Sequence, residues 1–323
     1  MICQLCPTIN TMNDSRVPLL LTILGPTACG KTSLAVAVAD LIDGEIISAD
    51  SRQVFRGMDI GTGKDLDEYR LPHREIKVHL VDIRDAGEEY SVYQFQNDFN
   101  KAFNLIMEAG HHAIMCGGTG MYLESIVRGY KLPDAPVDEG FRQRMKSFTD
   151  EELTERLASY ITLHNHTDTE TRDRLLRALE IQEFRHKHPD EFTKLPSMRH
   201  LVVGVSFPRE DVVERIEQRL RQRLQQGMVE EVRGLLDIGV PKERLMKYGL
   251  EYKQITRYLT GMCTYETMFE DLFTEIRRFS KRQMTWFRRM EHKGVNIHWL
   301  DGNETLKTKA EKVAGLFLKA ENL

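Results

Sequence analysis

Eight residues near the start of the chain, Gly25 to Thr32, have the types and spacing of a phosphate-binding loop, read GPTACGKT. The two glycines permit close approach of the backbone, so that successive N–H groups can donate to phosphate oxygens. Lys31 places a positive charge on the outer phosphates, and the Thr32 hydroxyl can bind Mg²⁺. The candidate phosphate-binding residues are Gly25, Pro26, Thr27, Ala28, Cys29, Gly30, Lys31 and Thr32. The motif predicts a polyphosphate ligand without identifying it, and an ordinary turn is the alternative interpretation.

The elements on either side of this loop support the phosphate-binding interpretation. The apolar run Leu19–Leu24 predicts a buried strand, and the Ala- and Val-rich segment Ser33–Leu41 predicts a buried helix. Strand, glycine-rich loop and helix in this order are typical of a P-loop. We therefore expect an α/β fold, a P-loop NTPase-like core with a parallel sheet flanked by helices, plus an inserted all-helical domain.

A second predicted strand, Glu45–Ser48, ends in a polar cluster that begins at Asp50. Ligands of open α/β sheets bind outside the carboxyl ends of the strands, so Asp50 is expected to face the ligand of the loop. The alternative is that Asp50 or Ser51 only caps a following helix.

Three further runs predict strands of the same sheet. Lys77–Asp82 ends in an acid, which suggests a Walker-B aspartate. Ala113–Cys116 runs into the glycine-rich turn 117–120, where Thr119 supplies a hydroxyl, and Leu201–Phe207 returns to strand character. The glycine-rich segment 55–64 is expected to form a loop close to the site.

The pattern of residues along the chain predicts a core and an inserted domain. We expect a flexible extension over residues 1–17, with natural translation starting at Met12, a core over 18–130 and 198–323, and an inserted helical domain over 131–197. Arg172, Arg174 and Arg177 lie in the insertion, where a solvated charged face is the alternative to a ligand site. Cys3 with Cys6, and His164 with His166 near Asp168, are interpreted as incidental rather than as metal sites.

Two helices are rich in arginine. The predicted helix Arg209–Arg233 carries Arg215 and Arg219, four residues apart, after a strand that should reach the site. The predicted helix Thr274–Lys293 has seven bases against two acids, an excess that can neutralise a phosphate backbone. Its apolar stripe is expected to pack against the protein, and it consists of Ile276, Phe279, Gln283, Trp286 and Met290.

Composition excludes several classes of protein. The 323 residues have a net charge of −4 and 41% hydrophobic residues, as expected for a globular protein without a generally basic surface. No apolar run is long enough to span a membrane. Five cysteines, an odd number, favour reduced thiols and a cytoplasmic location. No heptad seam is visible, so we expect a monomer.

Seven stretches, taken in order, resemble the tRNA dimethylallyltransferase family over roughly residues 19–300. They are GPTACGKTSLA, ISADSRQVFRGMDIGTGK, HLVDI, GGTGMYL, RDRLLRALEI, RIEQR with GMVEEVR, and KRQMTWFRR. The resemblance implies transfer of a dimethylallyl group from dimethylallyl diphosphate to N6 of the adenosine next to the anticodon. It also implies that the loop holds the donor's diphosphate with Mg²⁺, and that the partner is a tRNA anticodon stem-loop.

The resemblance also implies roles for individual residues. Asp50 would engage N6 and accept its proton. The other implied catalytic residues are Thr27, Lys31, and Arg215 or Arg219. The implied tRNA contacts are Asp50, Ser51, Arg52, Gln53, Thr119, Arg142, Asp173, Arg174, Leu175, Leu176, Arg177, Arg278, Arg282 and Gln283.

Two stretches depart from the family pattern. Cys29 replaces the usual Ser or Ala, which predicts sensitivity to thiol reagents, and Tyr248–Tyr252 (YGLEY) replaces the Gly-Tyr-Arg-Gln form common in bacterial members. The rival functions are a P-loop nucleotide kinase with an essential Asp82, an adenylate isopentenyltransferase, and a non-catalytic RNA-binding protein.

Overall fold

The computed structural model describes residues 17–162 and 169–322. Within them, six strands form one parallel sheet in the order β3-β2-β4-β1-β5-β6. The strands are β1 (Leu19–Leu24), β2 (Gly44–Ser48), β3 (Val78–His79), β4 (His112–Gly117), β5 (Arg199–Ser206) and β6 (Ile297–Asp301). The expected α/β class and parallel sheet are confirmed.

The helices of the described chain are α1 (Lys31–Ile42), α2 (Val92–Glu108), α3 (Gly120–Val127), α4 (Glu139–Met145), α5 (Asp150–Tyr160), α6 (Arg172–Lys187), α7 (Arg209–Gln225), α8 (Met228–Asp237), α9 (Lys242–Leu245), α10 (Leu250–Leu259), α11 (Tyr265–His292) and α12 (Leu306–Glu321). A short 3₁₀ helix covers Leu66–Tyr69. No helix in the described residues is long and apolar enough to cross a membrane.

Both faces of the sheet are covered by helices, which explains why its strands read as continuous apolar runs. Residues of α1 and α12 bury one face, and residues of α2, α3 and α11 bury the other. A third apolar cluster joins α7, α8, α10 and α11 to the loops that follow β1 and β2. This third cluster fixes the loops at the carboxyl edge of the sheet, where the site is expected.

Three predicted elements have different bounds. The strand predicted over Lys77–Asp82 is only Val78–His79, because Leu80 and Asp82 have positive φ angles of 64° and 56° that end the extended chain. Likewise, the predicted helix Arg209–Arg233 is divided into α7 and α8 at Gly227, whose φ is 99°. By contrast, α11 begins earlier than predicted, at Tyr265, because the Thr264 hydroxyl caps its first turn.

The insertion predicted over 131–197 contains α4, α5 and α6, with no strand among its described residues. These helices share a small apolar core of their own, which includes Phe141, Leu157 and Leu179. The exact domain boundaries stay a prediction. Cys3, Cys6, Met12, His164, His166 and Asp168 lie outside the described residues.

A buried carboxylate holds α11 against α3. The Glu124 side chain accepts hydrogen bonds from Arg289 at 3.0 Å, from Lys293 at 3.1 Å and from the Tyr130 hydroxyl at 2.5 Å. Burial acts to raise the pKa of Glu124, but these three donors outweigh it and lower the pKa to about 2. The charge pairs across this interface therefore stabilise the fold at neutral pH.

Replacing this carboxylate is expected to destabilise the protein. Glu124→Gln should lower the free energy of unfolding at pH 7 by about 2 kcal/mol, since it removes the charge that strengthens the hydrogen bonds from the half-exposed Arg289 and Lys293. Because the folded pKa lies below the ordinary 4.5, the stabilisation is complete above pH 4.5 and disappears as the pH falls toward about 2. The difference between wild type and variant in denaturant unfolding should therefore shrink below pH 4.5.

Glu311 provides the matched control, because in the part of the chain that the structure describes its side chain forms only an exposed pair with Lys307 at 3.9 Å. Glu311→Gln should change stability by less than about 1 kcal/mol. Equal effects of the two variants, or a Glu124→Gln effect independent of pH, would contradict the assignment.

Candidate functional site

The loop 25–30 joins β1 to α1 and is shaped to receive an anion. Ala28 and Gly30 have φ angles of 62° and 73°, a left-handed region in which glycine is unstrained and Ala28 is not. Among residues 17–162 and 169–322, no side chain caps the N-terminus of α1, and the first turn of this helix contains no acid. The first N–H groups of α1 are therefore available to a ligand, and the helix dipole favours a negative one.

Lys31 is held in place by contacts of its side chain and of its backbone. The Lys31 ammonium lies 3.4 Å from the Pro26 carbonyl oxygen, over the loop itself. On the other side, the Cys116 thiol lies under the Lys31 carbonyl, and burial raises the pKa of Cys116 to about 12. Cys29 is only 2% exposed, which argues against the expected sensitivity to thiol reagents. The cysteines of the described chain are free thiols, as predicted.

Asp50 begins a turn after β2. Its Oδ1 accepts a hydrogen bond from the Arg52 N–H at 2.9 Å, and no helix follows, so the helix-cap alternative is wrong. The second carboxylate oxygen makes no hydrogen bond within the described part of the chain. Since β2 lies two strands from β1, Asp50 is about 10 Å from the start of the loop on the same edge of the sheet.

The residues predicted around Asp50 are brought together. The Ser51 N–H donates to the Thr119 hydroxyl at 3.1 Å, which joins the turn after β2 to the turn after β4. Gln53 is buried, accepts from the Ser48 hydroxyl at 2.8 Å and donates to the Gly63 carbonyl at 2.9 Å. Gln53 therefore positions the loop 55–64, whereas Ser51 and Thr119 lie beside Asp50.

Both candidate arginines of α7 reach the loop region. Arg215 Nε donates to the Ala28 carbonyl oxygen at 2.9 Å, while Arg219 pairs with Asp65 at 2.6 Å. Arg223, one turn further, also reaches Asp65, at 3.4 Å. Arg223 was not among the predicted site residues, although its spacing of four from Arg219 places both on one helix face.

A narrow cavity opens beside the loop. Its lining consists of Thr27, Ala28, Ile216, Arg219, Leu220, Arg223, Met228, Glu251 and Ile276. Burial raises the pKa of Glu251 and lowers the pKa of Arg223. Glu251 belongs to the YGLEY departure, so the departure places a carboxyl group in the wall of this cavity.

The other residues of YGLEY support the loop 55–64. The Tyr252 hydroxyl donates to Glu231 at 2.7 Å, and the same carboxylate accepts the N–H groups of Asp59, Ile60 and Gly61 at 2.8, 2.6 and 3.0 Å. Glu231, which sequence reasoning missed, therefore anchors this loop.

Asp82 does not have the surroundings of a Walker-B residue. It follows β3, the edge strand, which lies three strands from β1. Its carboxylate pairs with the buried Lys64 ammonium, which also binds Asp59 at 2.5 Å and the Phe55 carbonyl at 2.7 Å. Asp82 therefore binds and stabilises the loop 55–64, and the Walker-B hypothesis is not supported.

Five of the seven predicted bases of α11 stay available to a ligand. They are Arg277, Arg278, Lys281, Arg282 and Arg288, none of which forms an ion pair in the described part of the chain. Arg289 and Lys293 are bound to Glu124, which lowers the excess predicted for this helix. The stripe also differs from the prediction, because Phe279 is 37% exposed while Ser280 and Phe287 are buried.

Gln283 lies on the buried face of α11 and is only 7% exposed. Its Oε1 accepts from the Thr27 N–H at 2.9 Å, and its Nε2 donates to the Gly118 carbonyl at 2.9 Å. A Cβ added at Gly118 would lie 2.6 Å from that nitrogen, so only glycine permits this approach. Gln283 thus bonds to the phosphate-binding loop, and its side chain does not lie on the exposed face of α11, where an RNA contact is expected.

In the insertion, three predicted arginines, Arg142 on α4 and Arg174 and Arg177 on α6, pair with acids of the insertion itself. Arg142 and Arg177 both pair with the buried Glu180, at 2.7 and 3.1 Å, and Arg174 pairs with Glu170. Asp173 is well exposed. Leu175 and Leu176 lie in the apolar core of the insertion, so little of their surface is open to a partner.

Comparisons with known proteins point to one family. A family model described as IPP transferase matches residues 53–290. A tRNA dimethylallyltransferase 2 of Porphyromonas gingivalis is 49% identical over 298 residues, which cover 92% of this chain and 99% of the relative. A tRNA dimethylallyltransferase 2 of Bacteroides fragilis is 50% identical over 290 residues, covering 90% of this chain and 95% of the relative.

Solved structures agree with these relatives. The tRNA isopentenylpyrophosphate transferase of Bacillus halodurans has a TM-score of 0.67 and 29% identity, covering 93% of this chain and 95% of its own. A eukaryotic dimethylallyltransferase, described as acting on tRNA, has a TM-score of 0.70 at 20% identity, with coverage of 92% and 77%, and so shows the same fold.

Proposed function

The chain belongs to the IPP transferase family of tRNA dimethylallyltransferases, and we propose from this that it transfers a dimethylallyl group from dimethylallyl diphosphate to N6 of the adenosine next to the anticodon. The observation that best supports this reaction is the common edge of the sheet shared by the loop 25–32 and Asp50. The loop supplies a site for a diphosphate, and the carboxylate supplies a base on a turn whose strand lies about 10 Å from β1.

The donor end stabilises a leaving group. When the C–O bond of the allylic diphosphate breaks, negative charge grows on the departing diphosphate. Lys31, Arg215, Arg219 and the N–H groups at the start of α1 would donate to that charge, and preorganised donors of this kind lower the barrier. The bonds that hold Lys31 and Arg215 to carbonyls of the loop support this role. In this reaction Lys31 serves a leaving group and does not serve a transferred phosphoryl group.

The residues near the loop suit Mg²⁺ bound together with the donor. The Thr32 hydroxyl makes no hydrogen bond in the described part of the chain, and a hydroxyl is a hard oxygen ligand. Residues 17–162 and 169–322 contain no cluster of three or more His, Cys, Asp or Glu that could hold the ion alone. Mg²⁺ would thus be held by Thr32 and phosphate oxygens, and it would neutralise charge on the leaving diphosphate.

The acceptor end removes a proton. As the N6 nitrogen forms its bond to the allylic carbon, it must lose one proton, and the second oxygen of Asp50 accepts it. The hydrogen bond from the Arg52 N–H keeps the carboxylate in place during this transfer. Thr119 and Ser51 fix the turn on its other side.

The tRNA is proposed to lie between the core and the helical insertion, with the target base out of its stack. The exposed Arg278 and Arg282 would contact phosphates of the tRNA. Asp173 and Arg174, on the insertion, would contact the anticodon loop of the tRNA. Arg142, Leu175, Leu176 and Arg177 would hold α6 in the conformation that RNA recognises. We further propose that the enzyme works as a cytoplasmic monomer.

A transfer assay tests this function. The protein is incubated with Mg²⁺, dimethylallyl diphosphate and unmodified tRNA, and the tRNA nucleosides are analysed by mass spectrometry. We expect one adenosine per tRNA to gain the mass of a dimethylallyl group. Modification of AMP with tRNA ignored would favour an adenylate isopentenyltransferase instead, and turnover of ATP without adenosine modification would favour a kinase.

A further inference from the structure

Gln283 connects the two ends of the site: the donor end, which is the loop 25–32, and the acceptor end, which is the turn that carries Asp50. Among the described residues, it is the one side chain that accepts from an N–H of the loop 25–32. Its amide nitrogen holds the Gly118 carbonyl in the turn after β4. Both bonds are 2.9 Å long; the bond to Gly118 is buried and the bond to Thr27 is partly buried, so water competes little with this amide.

The turn after β4 continues the connection to the acceptor end. Thr119 follows Gly118 directly, and its hydroxyl accepts from the Ser51 N–H at 3.1 Å. The Thr119 N–H donates to the Ala49 carbonyl at 3.3 Å. These two bonds hold the residues on both sides of Asp50. Hydrogen bonds and the Gly118–Thr119 peptide bond therefore connect Thr27 in the phosphate-binding loop to the turn of the proposed base.

Resting on the function proposed above, we propose that Gln283 is a positioning residue that fixes the separation between the donor loop and the Asp50 turn. The reaction needs the allylic carbon and N6 in line and in near contact, and a displacement of about 1 Å can cost about 100-fold in rate. Gln283 acts from α11, the helix whose exposed face carries Arg278 and Arg282. The same rigid helix thus touches both the donor site and the proposed RNA surface.

The test separates binding from the chemical step. Gln283→Leu keeps the volume of the side chain and removes both hydrogen bonds. The single-turnover rate at saturating tRNA and dimethylallyl diphosphate should fall about 10- to 100-fold. The Kd for tRNA should stay within about threefold of wild type, because Gln283 is buried beneath the RNA surface. A direct RNA contact, as the sequence resemblance implied, would instead raise that Kd and leave the saturated rate unchanged.

A second variant reaches the same contact from the other side. In Gly118→Ala, the added Cβ would lie 2.6 Å from Gln283 Nε2 and should displace the amide without changing α11. It should reproduce the rate defect. Thr260→Ala is the control, since this exposed hydroxyl at the end of α10 bonds, within the described chain, to the Thr256 and Arg257 carbonyls of its own helix and should leave rate and affinity unchanged. Thermal unfolding of each variant measures the folded fraction, to which the rates are normalised.

The outcomes distinguish the two proposals. If the wild-type protein transfers no dimethylallyl group to tRNA, the proposed function fails. If the wild type transfers it and both Gln283→Leu and Gly118→Ala do so at the wild-type rate, the positioning role of Gln283 is overturned. It is equally overturned if the only effect of Gln283→Leu is weaker tRNA binding.

Discussion

Asp50→Ala is expected to lower the single-turnover rate of transfer by at least about 100-fold, since a positioned general base contributes about 10² to 10⁴ in rate. The Kd for tRNA should change little, because the proton is transferred in the reaction and not on binding. Asp50→Asn should show nearly the same loss. Its amide oxygen can still accept from the Arg52 N–H, so the turn is kept while the base is removed.

Asp301 offers a matched control for the structural part of this effect. It ends β6 on the same edge of the sheet, and its Oδ1 accepts from the Asn303 N–H at 2.9 Å, which repeats the geometry of Asp50 with Arg52. Asp301→Asn should retain wild-type activity. Near-normal turnover in Asp50→Asn would remove Asp50 from the mechanism, as would an equal loss in both variants.

Reversing the charge of two arginines of α11 is expected to weaken tRNA binding strongly. Arg278→Glu combined with Arg282→Glu should raise the Kd at least about 100-fold at low salt, since each lost contact between a charged group and phosphate costs about 1.5 kcal/mol. The slope of log K against log salt should fall by about 2, one per phosphate contact. Transfer at saturating tRNA should be far less affected.

The control must change the net charge by the same amount elsewhere. Lys307 and Lys319 are exposed on α12. This helix packs with α1 on one face of the sheet, whereas α11 covers the opposite face. Their double replacement by Glu should leave the Kd within a few-fold and the salt slope unchanged. Equal effects of the two double variants would indicate long-range attraction by net charge, and α11 would then not be the RNA contact.

Local patterns were sufficient to predict the framework. The strand, loop and helix around Gly25 to Thr32 follow from apolar runs and glycine spacing, and the structure places them within one or two residues. Asp50 and Thr119 could be assigned to one edge because parallel strands end on the same side of a sheet. These predictions needed only the order of the elements along the chain.

Contacts between distant residues could not be predicted in this way. Gln283 looks like one member of a helix stripe, and its bond to Thr27 spans 256 residues of sequence. Glu124 neutralises two bases of α11 that composition alone counts as free. Glu231 anchors a loop 170 to 172 residues away. Such partners are set by tertiary packing, which periodicity does not encode.

The measurement that tests the central claim most directly counts products in one reaction. Purified protein is mixed with Mg²⁺, dimethylallyl diphosphate and unmodified tRNA, and released diphosphate and modified adenosine are quantified together. If the loop Gly25 to Thr32 holds a leaving diphosphate and Asp50 serves the acceptor, one diphosphate appears for each modified adenosine, only when both substrates are present. Release of orthophosphate from ATP, or diphosphate release without adenosine modification, would contradict this function.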